Sequence, residues 1–241
     1  MQTNFSVNIN KIALLRNARG ENLPDLIKFA KDCIAFGVDG ITVHPRPDER
    51  HITKKDVYDL ADFLPNKNCE FNIEGYPSED FVKMVLEVKP NQCTLVPDSP
   101  GQLTSDHGWD TIKDKELLLK VIPRFQEKGI SVSLFIGTDK DMIQGAKDVS
   151  ADRIEFYTGP FAAEYAQNKE NSIALIKEAA IFCNEIGIGV NAGHDLNLEN
   201  LKFLKENIVD LLEVSIGQAF VRDCLYLGLE NTIQLYKRLL V

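Results

Sequence analysis

Along the 241 residues, short stretches of alternating apolar and polar side chains take turns with longer stretches whose apolar residues recur every three or four positions. Eight stretches read as strands: 5–10, 40–44, 70–75, 92–98, 130–136, 153–158, 188–193 and 211–217. Between them the helical period is plain. Leu26, Phe29, Ala30, Cys33 and Ile34 share one face, with Pro24 suited to the helix start and Gly37 to its end. Val57, Leu60, Ala61 and Leu64 follow Thr53, a natural N-cap. Phe81, Val82, Val85 and Leu86 follow Ser78, and Glu79 and Asp80 fall in the first turn, where the helix dipole favours acids. Ile173, Ile176, Ala180 and Cys183 make another stripe, and 231–240 ends the chain as a helix. Eight strand–helix alternations in a length close to the ~250 residues of a (β/α)₈ barrel predict a TIM barrel, one α/β domain spanning 1–241. No G-x-G-x-x-G turn follows the first strand, which argues against an open dinucleotide-binding sheet.

Strands buried on both faces usually read as continuous apolar runs. These alternate instead. Val7 and Ile9 oppose Asn8 and Asn10; Ile41 and Val43 oppose Thr42 and His44, with Arg46 continuing the row. Phe71 and Ile73 oppose Asn72 and Glu74. Val132, Leu134 and Ile136 oppose Ser131 and Ser133; Ile154 and Phe156 oppose Glu155 and Tyr157; Val190 and Ala192 oppose Asn191. With the apolar rows facing helices, the polar rows must line the barrel interior. Such groups are costly to bury unless they satisfy one another or meet water and ligand. Barrel active sites form at the C-terminal strand ends. A polar lumen is therefore the chief sign of catalysis.

Four titratable side chains, His44, Glu74, Glu155 and His194, converge on that mouth in this reading, and their chemistry suits repeated proton transfer. Arg19 and Arg46 fall in loops just past strands one and two, RNARG (16–20) and HPRPDERH (44–51), where a guanidinium fork can hold phosphate. The turn SIGQAF (215–220) sets Gly217 before a helix whose N–H groups suit an anion. The loop SPGQLTSDHGWD (99–110) reads equally as a lid or as a surface loop. Lys11 is a formal Schiff-base candidate. His44, Glu74, Glu155 and His194 are formal ligands of a divalent ion, but neither H-E-x-x-H nor a tight Cys/His cluster supports one, so no metal is expected.

Composition narrows the partners. A net charge of -9 and a pI near 5.0 disfavour nucleic acid and anionic membrane surfaces, which need a basic footprint. No apolar run approaches the ~18 residues of a membrane span, and the N-terminus lacks a signal-peptide layout, so the cytoplasm is expected. Five cysteines with no C-x-x-C pair read as buried thiols in a reducing compartment.

The segments VNINKIALLRNARG (7–20), DGITVHPRPDERHI (39–52), FNIEG (71–75), TLVPD (94–98), VSLFI (132–136), VNAGH (190–194) and EVSIG (213–217) resemble, in order and over nearly the whole chain, the successive motifs of the pyridoxine 5′-phosphate synthase family. The resemblance implies a barrel that joins 1-deoxy-D-xylulose 5-phosphate to 3-amino-2-oxopropyl phosphate, without metal or organic cofactor, in a homo-octamer. It implies His44 and Glu74 as proton acceptors, His194 as proton donor and an assisting role for Glu155. Substrate contacts carried over by it are Asn8, Asn10, Lys11, Arg19, Arg46, His51, Thr104, Asp195, Gly217 and Gln218. Many family members have Asp and His at the positions of Asn10 and Lys11, Gly at that of Asp195 and His at that of Gln218. The rival readings are a catalytically silent paralogue that binds a phosphorylated metabolite, and a metal-dependent sugar-phosphate isomerase or aldolase.

Overall fold

The computed structural model describes residues 2–64, 68–98, 101–102 and 104–241. Strands β1 (Asn4–Asn8), β2 (Gly40–Val43), β3 (Glu70–Gly75), β4 (Gln92–Leu95), β5 (Ser131–Ile136), β6 (Arg153–Tyr157), β7 (Gly189–Gly193) and β8 (Leu211–Ile216) close into a barrel in chain order. Each strand runs parallel to its neighbours, including β1 to β8. Around them lie α1 (Asn10–Asn17), α2 (Leu26–Ala35), α3 (Lys54–Phe63), α4 (Glu79–Val88), α5 (Lys115–Gln126), α6 (Lys140–Asp148), α7 (Gly159–Tyr165), α8 (Lys169–Ile186), α9 (Leu201–Asn207), α10 (Gln218–Leu227) and α11 (Leu229–Leu239). The expected (β/α)₈ barrel is thus present, with doubled helices after β1, β6 and β8.

Local chemistry sets the helix ends. Thr53 accepts from the Asp56 N–H while Asp56 accepts from the Thr53 N–H, a reciprocal capping box at α3. Ser78 accepts from the Phe81 N–H at α4. Gly37, at φ 95°, turns the chain out of α2. At the other end of α2 the start falls where Pro24 suits it: Asp25, the next residue, caps the helix by accepting from the Lys28 N–H.

The exit from β1 differs more. The strand stops at Asn8, and Asn10 opens α1 rather than extending the polar row. The Asn8 side-chain oxygen accepts from the Asn10 N–H at 3.1 Å, and that of Asn10 accepts from the His44 N–H at 2.9 Å, which fixes the turn against β2. Helix α1 takes in the first two residues of the expected 16–20 loop, Arg16 and Asn17. Its Arg16 is buried and grips Asp56 with both terminal nitrogens, at 2.5 and 2.7 Å. Arg16 and Asn17 also donate to the His51 carbonyl, at 3.3 and 2.8 Å, so α1 braces the segment between β2 and α3.

The apolar strand rows pack outward into one cluster with the helices; Val7, Ile41, Val43, Ile73, Leu134, Phe156 and Val214 are fully buried there. The polar rows meet inside. Gln92 of β4 donates to Glu213 of β8 at 3.1 Å, and its side-chain oxygen accepts from Arg153 of β6 at 3.0 Å and Asn191 of β7 at 3.1 Å. None of these three strands adjoins β4, so the contacts cross the interior. A second tier joins Ser6 to Thr42 at 2.7 Å and Thr94 to Asn72 at 3.1 Å. Barrel interiors are ordinarily filled by branched apolar side chains; this one is hydrophilic, as the alternation predicts.

Candidate active site

The side chains at the C-terminal strand ends surround a cavity of about 370 Å³. Asn8, Asn10 and Lys11 reach it from the β1–α1 turn, His44, Arg46 and His51 from beyond β2, and Glu74 from β3. Thr104 enters from the β4–α5 connection, Glu155 from β6, His194 and Asp195 from beyond β7, and Gly217 and Gln218 from the β8–α10 junction. One expected residue is not brought in. Arg19 lies between α1 and α2 with its side chain 83% exposed, 3.9 Å from Glu21.

His44 is buried with its Nδ1 3.7 Å from Glu74 and its Nε2 4.0 Å from Asp98. Burial, then the positive charges of Arg46, His51 and Arg50, hold its imidazole well below the usual histidine range. It is therefore neutral at pH 7 and free to accept a proton. Glu74 is pushed up to about 8 by burial and by the carboxylate of Asp98, against the opposing pull of Arg46. Asn8 donates to Glu74 at 3.4 Å. His51 is lowered to about 4 by burial and by Arg46. Its Nδ1 accepts from the Ile52 N–H at 3.0 Å, which leaves the ring proton on Nε2. Glu155 is raised well above the usual carboxylate range by burial and by Glu74 and Glu213. It sits over Gly193, where any Cβ would fall 2.1 Å from its Oε1. A side chain there would displace that carboxyl from its present place.

Arg46 pairs with Asp98 at 2.7 Å and donates to the Gln102 carbonyl at 3.0 Å; Arg50 reaches the same carbonyl at 3.0 Å. Ser105 donates to Asp98 at 2.9 Å, and the Thr104 hydroxyl lies 2.9 Å from His194 Nε2. Of the 99–110 loop, Ser99, Pro100 and Leu103 lie outside the described residues, but Thr104 and Ser105 face the cavity. Its Trp109 is a core residue, donating to the Leu95 carbonyl at 2.9 Å. Sequence reasoning assigned no role to Asp98, Phe135, Tyr157 or Ser215. Asp98 closes the TLVPD segment, inside the expected strand 92–98 but past the observed end of β4 at Leu95, where strand alternation no longer fixes a face. Tyr157 and Phe135 flank the His194 ring at 5.2 and 6.3 Å between centroids. Among the described residues, no group of three or more His, Cys, Asp or Glu is set to hold a metal ion.

A neutral imidazole, a carboxyl raised toward working pH and a second histidine around one polar cavity on a parallel eight-stranded barrel define an acid–base enzyme of the TIM-barrel class. The family model described as pyridoxal phosphate biosynthesis protein PdxJ matches residues 5–241, and the chain belongs to that family. It is 55% identical over 238 residues, 99% of each chain, to the pyridoxine 5′-phosphate synthase of Bacteroides thetaiotaomicron. It is 53% identical to that of Flavobacterium johnsoniae, covering 97% of this chain and 98% of the other. Among solved structures, tryptophan synthase from M. tuberculosis superposes with a TM-score of 0.67 at 9% identity, over 100% of this chain and 94% of the other. Phosphoribosylanthranilate isomerase from Thermotoga maritima gives 0.60 at 13%, over 98% and 97%. These two likenesses concern the fold alone.

Proposed function

We propose that the protein condenses 1-deoxy-D-xylulose 5-phosphate with 3-amino-2-oxopropyl phosphate to give pyridoxine 5′-phosphate, phosphate and water. The observation that carries this reading is the convergence of His44, Glu74 and His194 on one cavity whose rim also offers Lys11, Arg46, His51 and the start of α10. An amine must add to a ketone, water and phosphate must leave, and carbon-bound protons must move; each step needs an acid or base held near the reacting atom. His44 and Glu74 take protons, and His194 returns one to a leaving oxygen. Glu155, kept protonated, hydrogen-bonds a reacting oxygen or a water beside it. Arg46, His51, Asn10 and Lys11 hold one substrate; Asn8, the Asp195 turn, Gly217 and Gln218 hold the other. Arg19 joins them only if its segment moves inward. The purified protein, given both substrates and excess chelator, is expected to release pyridoxine 5′-phosphate and phosphate in equal amounts. Binding without turnover would establish the silent paralogue, and loss of turnover to chelator the metal-dependent enzyme.

Gln218 is the exposed first residue of α10, behind Gly217, whose missing side chain leaves room for Asn8. An amide donates a hydrogen bond to phosphate but brings no charge. Gln218→His is expected to lower one substrate's KM by about two- to fivefold, the scale of a partly exposed charge contact. Unchanged KM values for both substrates in steady-state kinetics would refute this.

The cytoplasm is the proposed location, supported by five free cysteines and by the finding that no helix among the described residues is long and apolar enough to cross a membrane. A homo-octamer is the proposed assembly. Leu14 and Leu15 of α1 and Leu225 and Tyr226 of the contacting α10 are exposed, the last two by 73% and 84%, and such apolar surface favours self-association. Light scattering on a sizing column would give the assembly mass.

A further inference from the structure

Thr158 follows β6 and occupies the N-cap of α7. A threonine there ordinarily accepts, through its hydroxyl, a hydrogen bond from a free N–H of the first helical turn. This one does not. Its hydroxyl instead shares its proton between two carbonyls at the end of β7: that of Gly193, at 2.8 Å, and that of His194. The Thr158 N–H also donates to the Gly193 carbonyl, at 3.0 Å. Thr158 is fully buried.

The segment so gripped is unusual. The chain leaves β7 through two consecutive left-handed residues, His194 at φ 86° and Asp195 at φ 55°, neither a glycine. Residues with a side chain adopt this region rarely and hold it only where their surroundings dictate it. The turn decides where the imidazole points. Its ring stands edge-on to Tyr157, at 5.2 Å and 78°, with Nε2 facing Thr104 and Nδ1 3.2 Å from Asp195. Tyr157 and Thr158 are sequential, so the end of β6 supplies both the wall for the ring and the clamp for its backbone. On the far side, buried Asn200 donates to the Asp195 carbonyl at 3.2 Å.

We propose that Thr158 is a positioning residue: its hydroxyl, by holding the Gly193 and His194 carbonyls, fixes the left-handed turn that aims the His194 imidazole into the cavity. The inference rests on the reading of His194 as the proton donor. It does not make Thr158 a catalytic residue, since its one hydroxyl proton is committed to protein carbonyls and Thr158 lies outside the cavity lining.

Thr158→Val keeps the shape and removes the hydroxyl; Thr158→Ser keeps the hydroxyl. Thr158→Val is expected to lower kcat by about 10- to 100-fold, the effect of a slightly misplaced catalytic group. The KM of the substrate held by Arg46 and His51 should stay within about threefold, since those groups are untouched. Thr158→Ser should keep most of the activity. In a His194→Asn background, Thr158→Val should cause no further loss, because the group it positions is gone. A readout independent of activity is the nuclear Overhauser contact between the His194 and Tyr157 rings: present in the unaltered protein and in Thr158→Ser, lost in Thr158→Val. The proposal is overturned if Thr158→Val keeps that contact, if Thr158→Ser fails as badly as Thr158→Val, or if the losses from Thr158→Val and His194→Asn multiply. Full activity of His194→Asn would instead remove the reading of His194 as acid, and the ring contact would still decide the role of Thr158.

Discussion

Glu74→Gln is expected to lower kcat by about 10²- to 10⁴-fold, the usual contribution of a positioned general acid or base. The same change should leave the fold about as stable as before at pH 4 and more stable at pH 9. Both halves follow from one fact: the carboxyl is buried and raised to about 8 by burial and Asp98. A carboxyl raised in the folded state binds its proton there at pH values where the unfolded chain has released it. Stability therefore falls as pH climbs from the ordinary carboxylate range, about 4, toward about 8, and is level outside that window. Glutamine copies the size and the neutral charge of the protonated form, so it removes this penalty. It cannot take up a proton, so turnover goes with the carboxylate. In the unaltered protein kcat/KM should climb with pH up to about 8, and no such limb should survive in the residual activity of the variant. Thermal melts at the two pH values and steady-state rates check the halves separately. A rate within tenfold of the parent would remove Glu74 from the machinery.

Why Glu74 was legible, and its partner Asp98 was not, is a matter of strand geometry. Within β3 the alternation Phe71, Asn72, Ile73, Glu74 assigns each residue a face, so a single reading of polarity puts Glu74 inside. The same logic placed Thr42, Asn72, Glu155 and Asn191 in the lumen, where they are buried. Beyond a strand end it lapses. Asp98 follows β4 by three residues and reaches the site because Arg46 and Ser105 hold it there. Helix α1 escaped notice because its stripe is false: Leu14 and Leu15 are exposed, and the buried positions are Ile12, Ala13 and a charged Arg16. A buried arginine can be read from a sequence only with its partner, and Asp56 lies 40 residues on. Thr158 is subtler. It closes the strand expected at 153–158, and its hydroxyl turns to a β7 carbonyl 35 residues on, which no local period marks. What local period fixes was legible; what long-range hydrogen bonds fix was not.

The largest effect expected on the fold comes from the tier below the site. Glu213 is raised to about 8, by burial first and then by the charge of Glu70, and burial raises Glu70 as well. Arg153 is the cation placed between them, 3.7 Å from Glu70, with Gln92 bridging it to Glu213. One guanidinium cannot balance both the buried Glu213 and the half-buried Glu70, so one proton stays inside at neutral pH. The sign is that of Glu74: each carboxyl raised in this way removes roughly 1.4 kcal/mol of stability per pH unit between its unfolded and folded values. The melting temperature should therefore fall steadily from about pH 5 to about pH 8, the reverse of the common acid limb, in which depressed carboxylates lose stability as pH falls. Glu213→Gln should flatten that slope while leaving kcat near the parent value, since Glu213 lies outside the cavity lining. The replacement fits the bonding. Glu213 Oε1 accepts from Gln92 and, at 3.4 Å, from Asn191, which an amide oxygen also does. Among the described residues Glu213 Oε2 has no partner, and the N–H group that replaces it can donate toward the lumenal acceptors or a water. Melts of parent and variant from pH 5 to pH 9 decide the matter. A slope unchanged by Glu213→Gln would mean that this carboxyl ionises freely inside the barrel, and the account of a proton retained there for want of a second cation would fall.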